Sequence, residues 1–600
     1  MDHSPKSAIE HTQVAIVGAG PVGLVTAILL RQQGINVIVL ERRQSMPALP
    51  QAHVISTRTM EVLREIGVGE KVRNAAADPR KLRAITWCES LAGRRFGAIS
   101  FVDGDRAEMK ARAAASPTHI NNLAQNKLQP ILLQRAVEAG AEVRFNTTAR
   151  IVEQTKDSVS LALSDNAGQS TLSAEWVIAC DGATSRTRTD LGIDMIGPKS
   201  IRTYLSVYFR ADLNQWFNEL RGPVHWILGA DVRGFLIGFD MQTTWAFMIP
   251  YAEPNTPAEF TPEICAGLVR KAIGSDETAF EIENVSHWNM SGQVAECFRR
   301  GRVFLAGDAA HRFPPTGGLG LNTGIQDAHN LAWKIAAVLT GEAPASILAS
   351  YEIERRPIAQ RNCEHSLNNA RNMATVEEAI GVSTMAPVSP AAGTAGDSLP
   401  QDLGLDGDSN TAVQKRKAIA DAIEAQRGHF SFQGLDLGFT YGGPLILSDG
   451  VTTEHSTVSR YVPTTDPGAR LPHAWLTLNQ KPVSSLDLVA GRFSLLTGSE
   501  AKVWANAGRE FENWLQVLQI NRNGLADPDN QWQNVFGLEP DRALLIRPDG
   551  HIAWRSPRAV TDPIAELEKV IAVFRQHVDM RVNANTPQPT QPDTASTNAQ

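Results

Sequence analysis

Residues 13–43 read QVAIVGAGPVGLVTAILLRQQGINVIVLERR, and this stretch decides the predicted fold. An apolar run leads into a glycine-rich turn, a helix is predicted from about Pro21 to Gly34, and a second apolar run leads to Glu41. Strand, helix and strand in this order form a βαβ unit, which joins two parallel strands. We therefore expect an α/β domain built on a parallel sheet.

The turn after the first strand has the spacing Gly18-x-Gly20-x-x-Gly23. In a βαβ unit these glycines allow a tight turn, close approach of the backbone to a pyrophosphate, and close packing of the helix on the strand. Glu41 follows the last of them by 18 residues, a position from which an acid can bind ribose hydroxyls. The motif, supported by both strands and the acid, predicts a dinucleotide site that includes Arg42.

Acidic residues also follow two later apolar strands, predicted at 176–180 and 303–306. The carboxyl ends of strands are where open parallel sheets bind their ligands. We therefore expect both strand ends to contact the bound nucleotide. The residues concerned are Asp181, Gly182, Gly307 and Asp308.

The second of these strands is followed by the sequence FPPTGGLGLN. Pro315 fixes the backbone there, while Gly318 and Gly320 let the main chain pass close to a flat and bulky ligand. A helix is predicted from 323 to 339, with Asn322 as its N-cap. Its amino end would stabilise negative charge on that ligand by about 0.3–1 kcal/mol.

Residues 200–290 are rich in aromatic and β-branched side chains, which predicts an antiparallel sheet that covers a pocket. Trp226 and Trp245 are candidates for lining this pocket, although core packing is the more common role of a tryptophan. His53 lies in an extended segment just before a helix that Ser56 can cap. A single histidine in a loop has a low prior for catalysis, and only its context makes His53 a candidate.

Composition excludes several classes of function. The 600 residues carry a formal net charge of −7, so no basic field attracts nucleic acid or anionic lipid. The apolar run at 14–30 contains three glycines and a proline, which favours strand, turn and helix over a membrane or signal segment. The five cysteines form no CxxC and no close Cys/His group, so we expect no metal site and a reducing, cytoplasmic location.

The last third of the chain is predicted to form a separate compact α/β domain. Prolines and glycines in 374–411 indicate a linker before it. Within it we expect a strand at 493–497, a helix whose apolar face falls in 511–518, and a hairpin at 542–554. This part of the chain contains no cysteine. The Pro/Thr/Gln/Asn-rich tail is predicted to be disordered.

The glycine-rich loop with its acid and the two strand-end motifs together resemble the group A flavoprotein aromatic hydroxylases, which have the fold of p-hydroxybenzoate hydroxylase. The resemblance covers nearly the whole chain. The sequences at 52–61 and 467–476 are similar to the phenol, chlorophenol and 2-hydroxybiphenyl hydroxylase branch. That branch carries a C-terminal thioredoxin-like domain without redox cysteines.

The resemblance implies an α/β protein with a Rossmann-like FAD-binding domain, an antiparallel β-sheet substrate domain and the thioredoxin-like domain. Each of the first two is assembled from separate parts of the chain. The implied division is FAD-binding domain at 1–84, 116–199 and 291–373, substrate domain at 85–115 and 200–290, linker at 374–411, thioredoxin-like domain at 412–580, and disordered tail at 581–600.

The resemblance also implies which residues bind FAD. Glu41 would bind the adenosine ribose, Asp308 the ribityl or pyrophosphate part, and Asp181 would serve both FAD and the nicotinamide cofactor. Gln51 stands where the family commonly has arginine, so one flavin contact is altered. The full set of candidates is Gly18, Gly20, Gly23, Glu41, Arg42, Gln51, Gln125, Asp181, Gly182, Gly307, Asp308, Pro315, Gly318, Gly320, Leu321 and Asn322.

For catalysis the resemblance implies His53 beside the substrate hydroxyl and Pro315 beside the reactive face of the flavin. A phenol reacts faster as its phenolate, and a histidine with a reference pKa of about 6.5 can share the phenol proton at neutral pH. We therefore expect His53 to act as a base, and His53, Trp226 and Trp245 to line the substrate pocket.

The implied activity is that of a monooxygenase that consumes NADPH or NADH and hydroxylates a substituted phenol, ortho to its hydroxyl, through a flavin C(4a)-hydroperoxide. The expected partners are the small aromatic substrate, dioxygen and NAD(P)H, with a homodimer suggested by the branch and no nucleic acid or membrane. Three alternatives stay open: hydroxylation of a bulkier polycyclic or polyketide ring, an FAD-dependent reductase or dehydrogenase of the same fold, and a non-catalytic flavin-binding protein.

Overall fold

The computed structural model of the protein describes residues 9–103, 106–217, 220–229, 232–251, 259–382, 388–389, 394–395, 403–451 and 453–576. The tail predicted at 581–600 lies outside these ranges. Within them, no helix combines the length and the apolar character that crossing a membrane requires.

Sixteen α-helices are found in the described part of the chain. They are α1 (Pro21–Gln32), α2 (Thr57–Glu65), α3 (Gly69–Ala75), α4 (Arg106–Ala114), α5 (Gln125–Glu138), α6 (Arg186–Asp190), α7 (Pro262–Ile273), α8 (Leu319–Leu339), α9 (Ser350–Ile380), α10 (Asn410–Glu424), α11 (Arg427–Phe430), α12 (Gln433–Leu437), α13 (Ser485–Val489), α14 (Lys502–Arg509), α15 (Gln531–Asn534) and α16 (Pro563–Arg575).

An eight-stranded sheet is built on the predicted βαβ unit. In spatial order its strands are β18 (Arg299–Arg300), β19 (Val303–Leu305), β10 (Gly168–Ala179), β1 (Glu10–Val17), β2 (Val37–Leu40) and β7 (Glu142–Arg144), with β9 (Val159–Asp165) and β8 (Thr148–Gln154) extending from β10. β19, β10, β1, β2 and β7 are all parallel. Their carboxyl ends therefore meet at one edge, and α1 and α8 pack together on one face of the sheet.

A seven-stranded sheet forms the second layer. In spatial order its strands are β16 (Phe280–Met290), β12 (Arg202–Ala211), β15 (Thr244–Tyr251), β14 (Arg233–Gly238), β13 (Val224–Leu228), β4 (Ala84–Cys88) and β5 (Arg95–Ser100). Five of the six neighbouring pairs are antiparallel, and the pair of β13 with β4, which comes from the earlier chain segment, is parallel. One face packs on α7, and the other packs on α9, on α10 and on the segment around Ala124.

Small sheets connect these layers. β3 (Val54–Ile55) pairs with β6 (Asn121–Asn122), β11 (Met195–Ile196) and β20 (His311–Arg312) flank β17 (Gln293–Ala295), and β21 (Val388–Ser389) pairs with β22 (Thr394–Ala395). The β3–β6 ribbon brings together two distant segments, because Val54 is paired with Asn122, 68 positions later in the sequence. It lies between the first sheet and the seven-stranded sheet.

The C-terminal part contains two further sheets. β24 (Lys481–Ser484), β23 (Trp475–Leu478) and β27 (Leu525–Ala526) form one, and β26 (Gln516–Gln519), β25 (Ser494–Thr497), β28 (Ala543–Ile546) and β29 (Ile552–Arg555) form the other. The order β25, α14, β26 and then β28, β29, α16 is that of a thioredoxin-like domain. The chain's free cysteines all precede it, so the turn between β25 and α14 carries no redox pair.

Two predictions for this part of the chain were wrong. Residues 516–519 form strand β26 and not a helix, because they pair in parallel with β25. The predicted linker at 374–411 begins inside α9, which continues to Ile380, and part of it lies outside the described residues. The helix α10 packs through Ile419 and Ile423 on the seven-stranded sheet, so we propose that the C-terminal domain begins later than residue 412.

Candidate active site

The glycine-rich loop joins β1 to α1, and its three glycines differ in their surroundings. Gly18 has a φ of +108°, and a Cβ there would lie 2.4 Å from the carbonyl oxygen of Cys180. A Cβ on Gly23 would lie 2.0 Å from the Gly18 carbonyl oxygen, whereas one on Gly20 would meet nothing within 4 Å. The fold therefore requires the outer two glycines, and Gly20 leaves open space at the amino end of α1, where a pyrophosphate can bind.

Glu41 lies at the end of β2 and is buried against this loop. One carboxylate oxygen accepts a hydrogen bond from the Ala19 amide at 2.9 Å, and the other accepts from the Arg43 amide at 2.9 Å. Both bonds fix the carboxylate beside the loop, in the position expected for binding ribose. Arg42 is exposed next to it.

Asp181 and Gly182 follow β10 at the same edge of the sheet. One carboxylate oxygen of Asp181 accepts from the Thr187 amide at 3.0 Å. The other is buried and has no hydrogen-bond partner among the described residues. Gly182 has a φ of +82°, and a Cβ there would meet nothing within 4 Å. This strand end therefore offers an unpaired acceptor next to open space.

Gly307 and Asp308 follow β19, at the strand end where the sequence placed them, and they lie in a 3-10 turn. The Gly307 amide donates to Asp327 at 3.1 Å, and this bond anchors the turn on α8. Asp308 is exposed between buried neighbours. The protein around the Asp308 carboxylate removes part of its hydration and so raises its pKa, while the charges of His311 and Arg312 act in the opposite direction.

The Pro/Gly turn ends earlier than predicted. α8 begins at Leu319, not at residue 323, because Gly318 adopts a left-handed conformation with a φ of +63° and acts as the N-cap. A Cβ on Gly320 would meet nothing within 4 Å, and Pro315 is exposed beside it. The first amides of α8, up to Leu321, precede the first intrahelical bond, and they border this open space.

Asn322 is inside α8 and does not cap it. Its side-chain oxygen accepts from the Ser56 amide at 2.8 Å, and its amide nitrogen donates to the carbonyl oxygen of Val54 at 3.0 Å. The residue therefore connects the start of α8 to β3. The short sequence pattern Ser56 to Thr59 does cap α2 as predicted, because the Ser56 hydroxyl accepts from the Thr59 amide.

Gln51 and Gln125 are brought together by the β3–β6 ribbon. The Gln125 side-chain nitrogen donates to the Gln51 side-chain oxygen at 3.0 Å, and the Gln125 backbone amide donates to the Ala52 carbonyl at 2.7 Å. Gln51 is exposed. Both candidate flavin contacts therefore lie on one rim of the site, next to His53.

His53 is half-buried at the junction of the two layers. Its Nδ1 lies 2.5 Å from the side-chain oxygen of Asn122, and its ring meets the Phe239 ring edge-on at 5.6 Å between centroids. Burial lowers the pKa of His53, and the hydrogen bond with Asn122 acts in the opposite direction. The imidazole is therefore neutral at pH 7 and can accept a proton.

The face of the seven-stranded sheet that is turned toward His53 is aromatic. Phe239 stacks on Tyr208 at 6.4 Å, and the rings of Tyr204 and Trp288 stack at 4.9 Å. Trp226 lies on this same face, where it packs against Phe235 at 4.9 Å. These side chains form an aromatic wall, and its role in a substrate pocket stays a prediction.

Trp245 does not belong to this wall, which corrects one predicted pocket residue. It pairs with Phe209 and points to the opposite face of the sheet, since neighbouring residues of a strand alternate between faces. Its indole nitrogen donates to the Ala211 carbonyl at 3.1 Å, and its ring stacks on Phe217. Trp245 is a core residue of the layer that packs on α7.

Sequence reasoning missed Asn122, Phe239 and Tyr208. The two aromatic residues belong to the predicted sheet, but their face is defined only by strand register. Asn122 is in a short strand whose partner lies far away in sequence, so no local pattern identifies it. The described residues contain no group of three or more His, Cys, Asp or Glu side chains that could hold a metal ion.

The open edge of the first sheet fits FAD. A Cβ at Gly20, Gly182 or Gly320 would meet no protein atom within 4 Å, so the space beside each of these glycines is open. The unpaired oxygen of Asp181 and the exposed carboxylate of Asp308 lie at neighbouring strand ends. Helix amino ends and glycine-rich loops present backbone N–H groups that can bind a pyrophosphate. Acids at the ends of strands suit the hydroxyls of ribose and ribityl chains.

Comparisons with known proteins agree with this geometry. A family model described as an FAD binding domain matches residues 11–366, and one described as an aromatic-ring hydroxylase C-terminal domain matches residues 464–574. The 2,4-dichlorophenol 6-monooxygenase of Cupriavidus pinatubonensis is 31% identical over 577 residues, which are 93% of this chain and 95% of that protein. A protein of Streptomyces halstedii named as a polyketide hydroxylase is 33% identical over 591 residues, 94% of this chain and 96% of its own.

A solved structure of an FAD-dependent monooxygenase is also similar to this chain. The flavin-dependent monooxygenase PieE, in complex with FAD and substrate, superposes with a TM-score of 0.87 at 30% identity, covering 94% of this chain and 99% of that one. The chain binds FAD and belongs to the FAD-dependent aromatic-ring hydroxylases, a family of flavoprotein monooxygenases.

Proposed function

We propose that the protein hydroxylates a substituted phenol at the position ortho to its hydroxyl. The phenol, dioxygen, NAD(P)H and a proton would give a catechol, NAD(P)⁺ and water. The observation that carries the proposal is His53, a neutral imidazole held between the FAD edge and the aromatic wall. The chlorophenol relative supports a phenolic substrate.

The residues at the open edge would hold FAD in the roles that the sequence suggested. Glu41 would bind the adenosine ribose, the loop at Gly20 the pyrophosphate, and Asp308 the ribityl chain. Gln51, Gln125 and the first amides of α8 would surround the isoalloxazine, with Pro315 at its reactive face. When it is bound and reduced, FAD supplies the activation of dioxygen and the transfer of one oxygen atom.

The protein's own residues would prepare the ring for this transfer. His53 would accept the phenol proton, because a phenolate ring is more nucleophilic at its ortho position than the neutral phenol. The aromatic wall around Tyr208 and Phe239 would hold the ring and exclude water. The amino end of α8 would stabilise the negative charge of the reduced cofactor by about 0.3–1 kcal/mol.

A second candidate function is hydroxylation of a bulkier polycyclic or polyketide ring. The aromatic wall favours it, because it contains two stacked pairs, Phe239 with Tyr208 and Tyr204 with Trp288. Tyr204 also contacts Phe235 edge-on, and Phe235 contacts Trp226 at a tilted angle. The Streptomyces halstedii relative supports it as well. A wall of this length is more than a single ring needs.

The test combines a substrate panel with His53→Ala. Monocyclic phenols and polycyclic phenols are compared for NAD(P)H oxidation, oxygen consumption and hydroxylated product. We expect coupled turnover with a phenol, and in the variant a loss of at least ten-fold in hydroxylation, because a positioned general base contributes about 10²–10⁴. His119→Ala, at an exposed position of the same segment, is the control.

Two results would overturn the proposal. NAD(P)H oxidation without oxygen incorporation into any panel member would indicate a reductase or dehydrogenase. Unchanged, fully coupled hydroxylation in His53→Ala would show that His53 is not the base. The choice of NADPH or NADH, a role in aromatic catabolism, a cytoplasmic location and a homodimer stay predictions. Cosubstrate kinetics of the same preparation tests the first, and its mass in solution tests the last.

A further inference from the structure

We propose that Asn122 is a positioning residue that holds His53 in one tautomer, with the proton on Nδ1 and the lone pair on Nε2. The inference rests on the proposed role of His53 as the base, and it goes further because it names the atom that accepts the proton and the residue that selects it. Asn122 does not touch the substrate in this proposal. It acts through His53.

The orientation of the Asn122 amide is fixed from its other side. Its side-chain nitrogen lies 2.8 Å from the carbonyl oxygen of Phe239. A backbone carbonyl only accepts hydrogen bonds, so the NH₂ group must face Phe239 and the side-chain oxygen must face His53. The 2.5 Å contact between that oxygen and Nδ1 of His53 is therefore a bond that Nδ1 donates.

The backbone around the pair keeps this geometry. β3 and β6 pair through Val54 and Asn122, and the Leu123 amide donates to the His53 carbonyl at 2.8 Å. Asn122 is 3% exposed, so water does not compete for its side chain. Both partners of the bond are thus positioned by a ribbon that is independent of the substrate.

A neutral imidazole carries one ring proton, and Asn122 places it on Nδ1. Nε2 then holds the lone pair, and it has no hydrogen-bond partner among the described residues. Proton transfer from a phenol breaks the O–H bond, leaves the electron pair on the phenolate oxygen and forms the Nε2–H bond. The resulting imidazolium keeps its Nδ1–H bond to the neutral amide oxygen of Asn122, which raises the basicity of the ring.

An apolar residue at position 122 would no longer favour one tautomer of His53 over the other. In water the free imidazole exchanges between both tautomers, so without Asn122 the Nε2–H form would be populated and a fraction of the protein would lack the acceptor. An aspartate would keep the acceptor for Nδ1–H but add a negative charge beside the ring. It would therefore preserve the tautomer and raise the pKa of His53.

The experiment compares Asn122→Leu and Asn122→Asp in the FAD-loaded protein, using the phenol that is turned over best. The kcat/KM for hydroxylation is measured against pH, and ¹⁵N-histidine NMR reports the tautomer of His53, assigned by the loss of its signals in His53→Ala. We expect Asn122→Leu to lose at least ten-fold in hydroxylation and to lose the pure Nδ1–H signature. Asn122→Asp should keep that signature and move the acidic limb of the pH profile to higher pH by about one unit.

Asn121→Leu is the matched control. The side-chain amide of Asn121 donates to the His119 carbonyl and forms no hydrogen bond with His53. A wild-type pH profile and an unchanged Nδ1–H signature in Asn122→Leu would overturn the inference. If His53→Ala also leaves hydroxylation unchanged, the proposed base itself fails. If His53→Ala is impaired while Asn122→Leu is not, only the role of Asn122 fails.

Discussion

Glu354 and Arg547 form a fully buried, two-pronged ion pair, with the two guanidinium nitrogens 2.8 Å from the two carboxylate oxygens. Glu354 belongs to α9, and Arg547 follows β28 in the C-terminal domain. Burial alone would raise the pKa of Glu354, but the charges of Arg547 and Lys334 hold it below its usual value. The C-terminal domain thus provides a charge that the hydroxylase core needs.

Arg547→Met should strongly destabilise the protein. The variant breaks two buried ion pairs, one with Glu354 and one with Asp549. Removing one partner of a buried ion pair typically costs about 3–5 kcal/mol, and Lys334 still pairs with Glu354 while Asp549 loses its ion-pair partner. The free energy of unfolding, measured by urea titration, checks this. Asp487→Asn breaks the partly exposed pair with Arg64 between the same two regions and should cost no more than about 1 kcal/mol. Equal costs for the two variants would contradict the argument.

Substitutions at two glycines of the loop, Gly20 and Gly23, test cofactor binding and folding separately. Gly20→Ala should fold with a stability within about 1 kcal/mol of wild type, because its Cβ enters empty space and Gly20 is an N-cap. The same Cβ occupies the place proposed for the pyrophosphate, so the Kd for FAD should rise at least ten-fold. Flavin fluorescence titration measures it.

Gly23→Ala is the matched comparison for that prediction. Its Cβ would collide with the Gly18 carbonyl oxygen at 2.0 Å, so β1 and α1 must separate and folding itself should fail. If the Gly20 variant also failed to fold, or bound FAD as wild type does, the assignment of Gly20 to the pyrophosphate would be wrong.

The sequence predicted the parts of the site that are local. A glycine spacing, an acid at a strand end and an apolar run all act within a few residues, so the positions of Glu41, Asp181 and Asp308 at one sheet edge followed from their strands. The start of α8 was missed because a glycine in the left-handed conformation, Gly318, can cap a helix as well as Asn322 can.

The rest of the site depends on register and on distant pairing. Trp226 and Trp245 look alike in sequence, and only the pairing of β13 with β14 and of β14 with β15 shows that they lie on opposite faces. Asn122 meets His53 through a two-residue ribbon between distant segments. Residues 516–519 have apolar spacing that suits a helix, yet pairing with β25 makes them a strand. In each case long-range contacts override the local pattern.

Gln51→Arg should raise the two-electron reduction potential of the bound FAD. The family commonly has arginine here, and Gln51 lies on the proposed flavin rim, bonded to Gln125. A cation near the anionic reduced flavin is worth about 1 kcal/mol in an exposed setting, or roughly 20 mV. Equilibration with a reference dye measures the potential. Gln134→Arg adds the same charge at an exposed position farther along α5 and should leave it unchanged, and an equal rise in both variants would contradict a local effect.

Acid should destabilise the fold through its buried histidines, and His225 is the clearest case. Its Nε2 lies 3.0 Å from the Gly222 carbonyl, and Thr86 lies 2.7 Å from Nδ1. Burial lowers the pKa of His225 to about 4. The unfolded chain, with a histidine pKa of about 6.5, therefore binds more protons between pH 6.5 and 4, and the free energy of unfolding falls as the pH falls through this range.

A shift of this size corresponds to about 3 kcal/mol lost by pH 4 from His225 alone. His225→Gln removes the titrating group, so its free energy of unfolding should be lower than wild type at pH 7 but should fall less steeply toward pH 4. Urea midpoints at several pH values between 7 and 4 measure both slopes. His119→Gln, at an exposed site, should keep the wild-type slope. Parallel slopes for His225→Gln and wild type would show that His225 is protonated with equal ease in the folded and unfolded chain, contrary to its enclosure between the Gly222 carbonyl and the ring of Phe217.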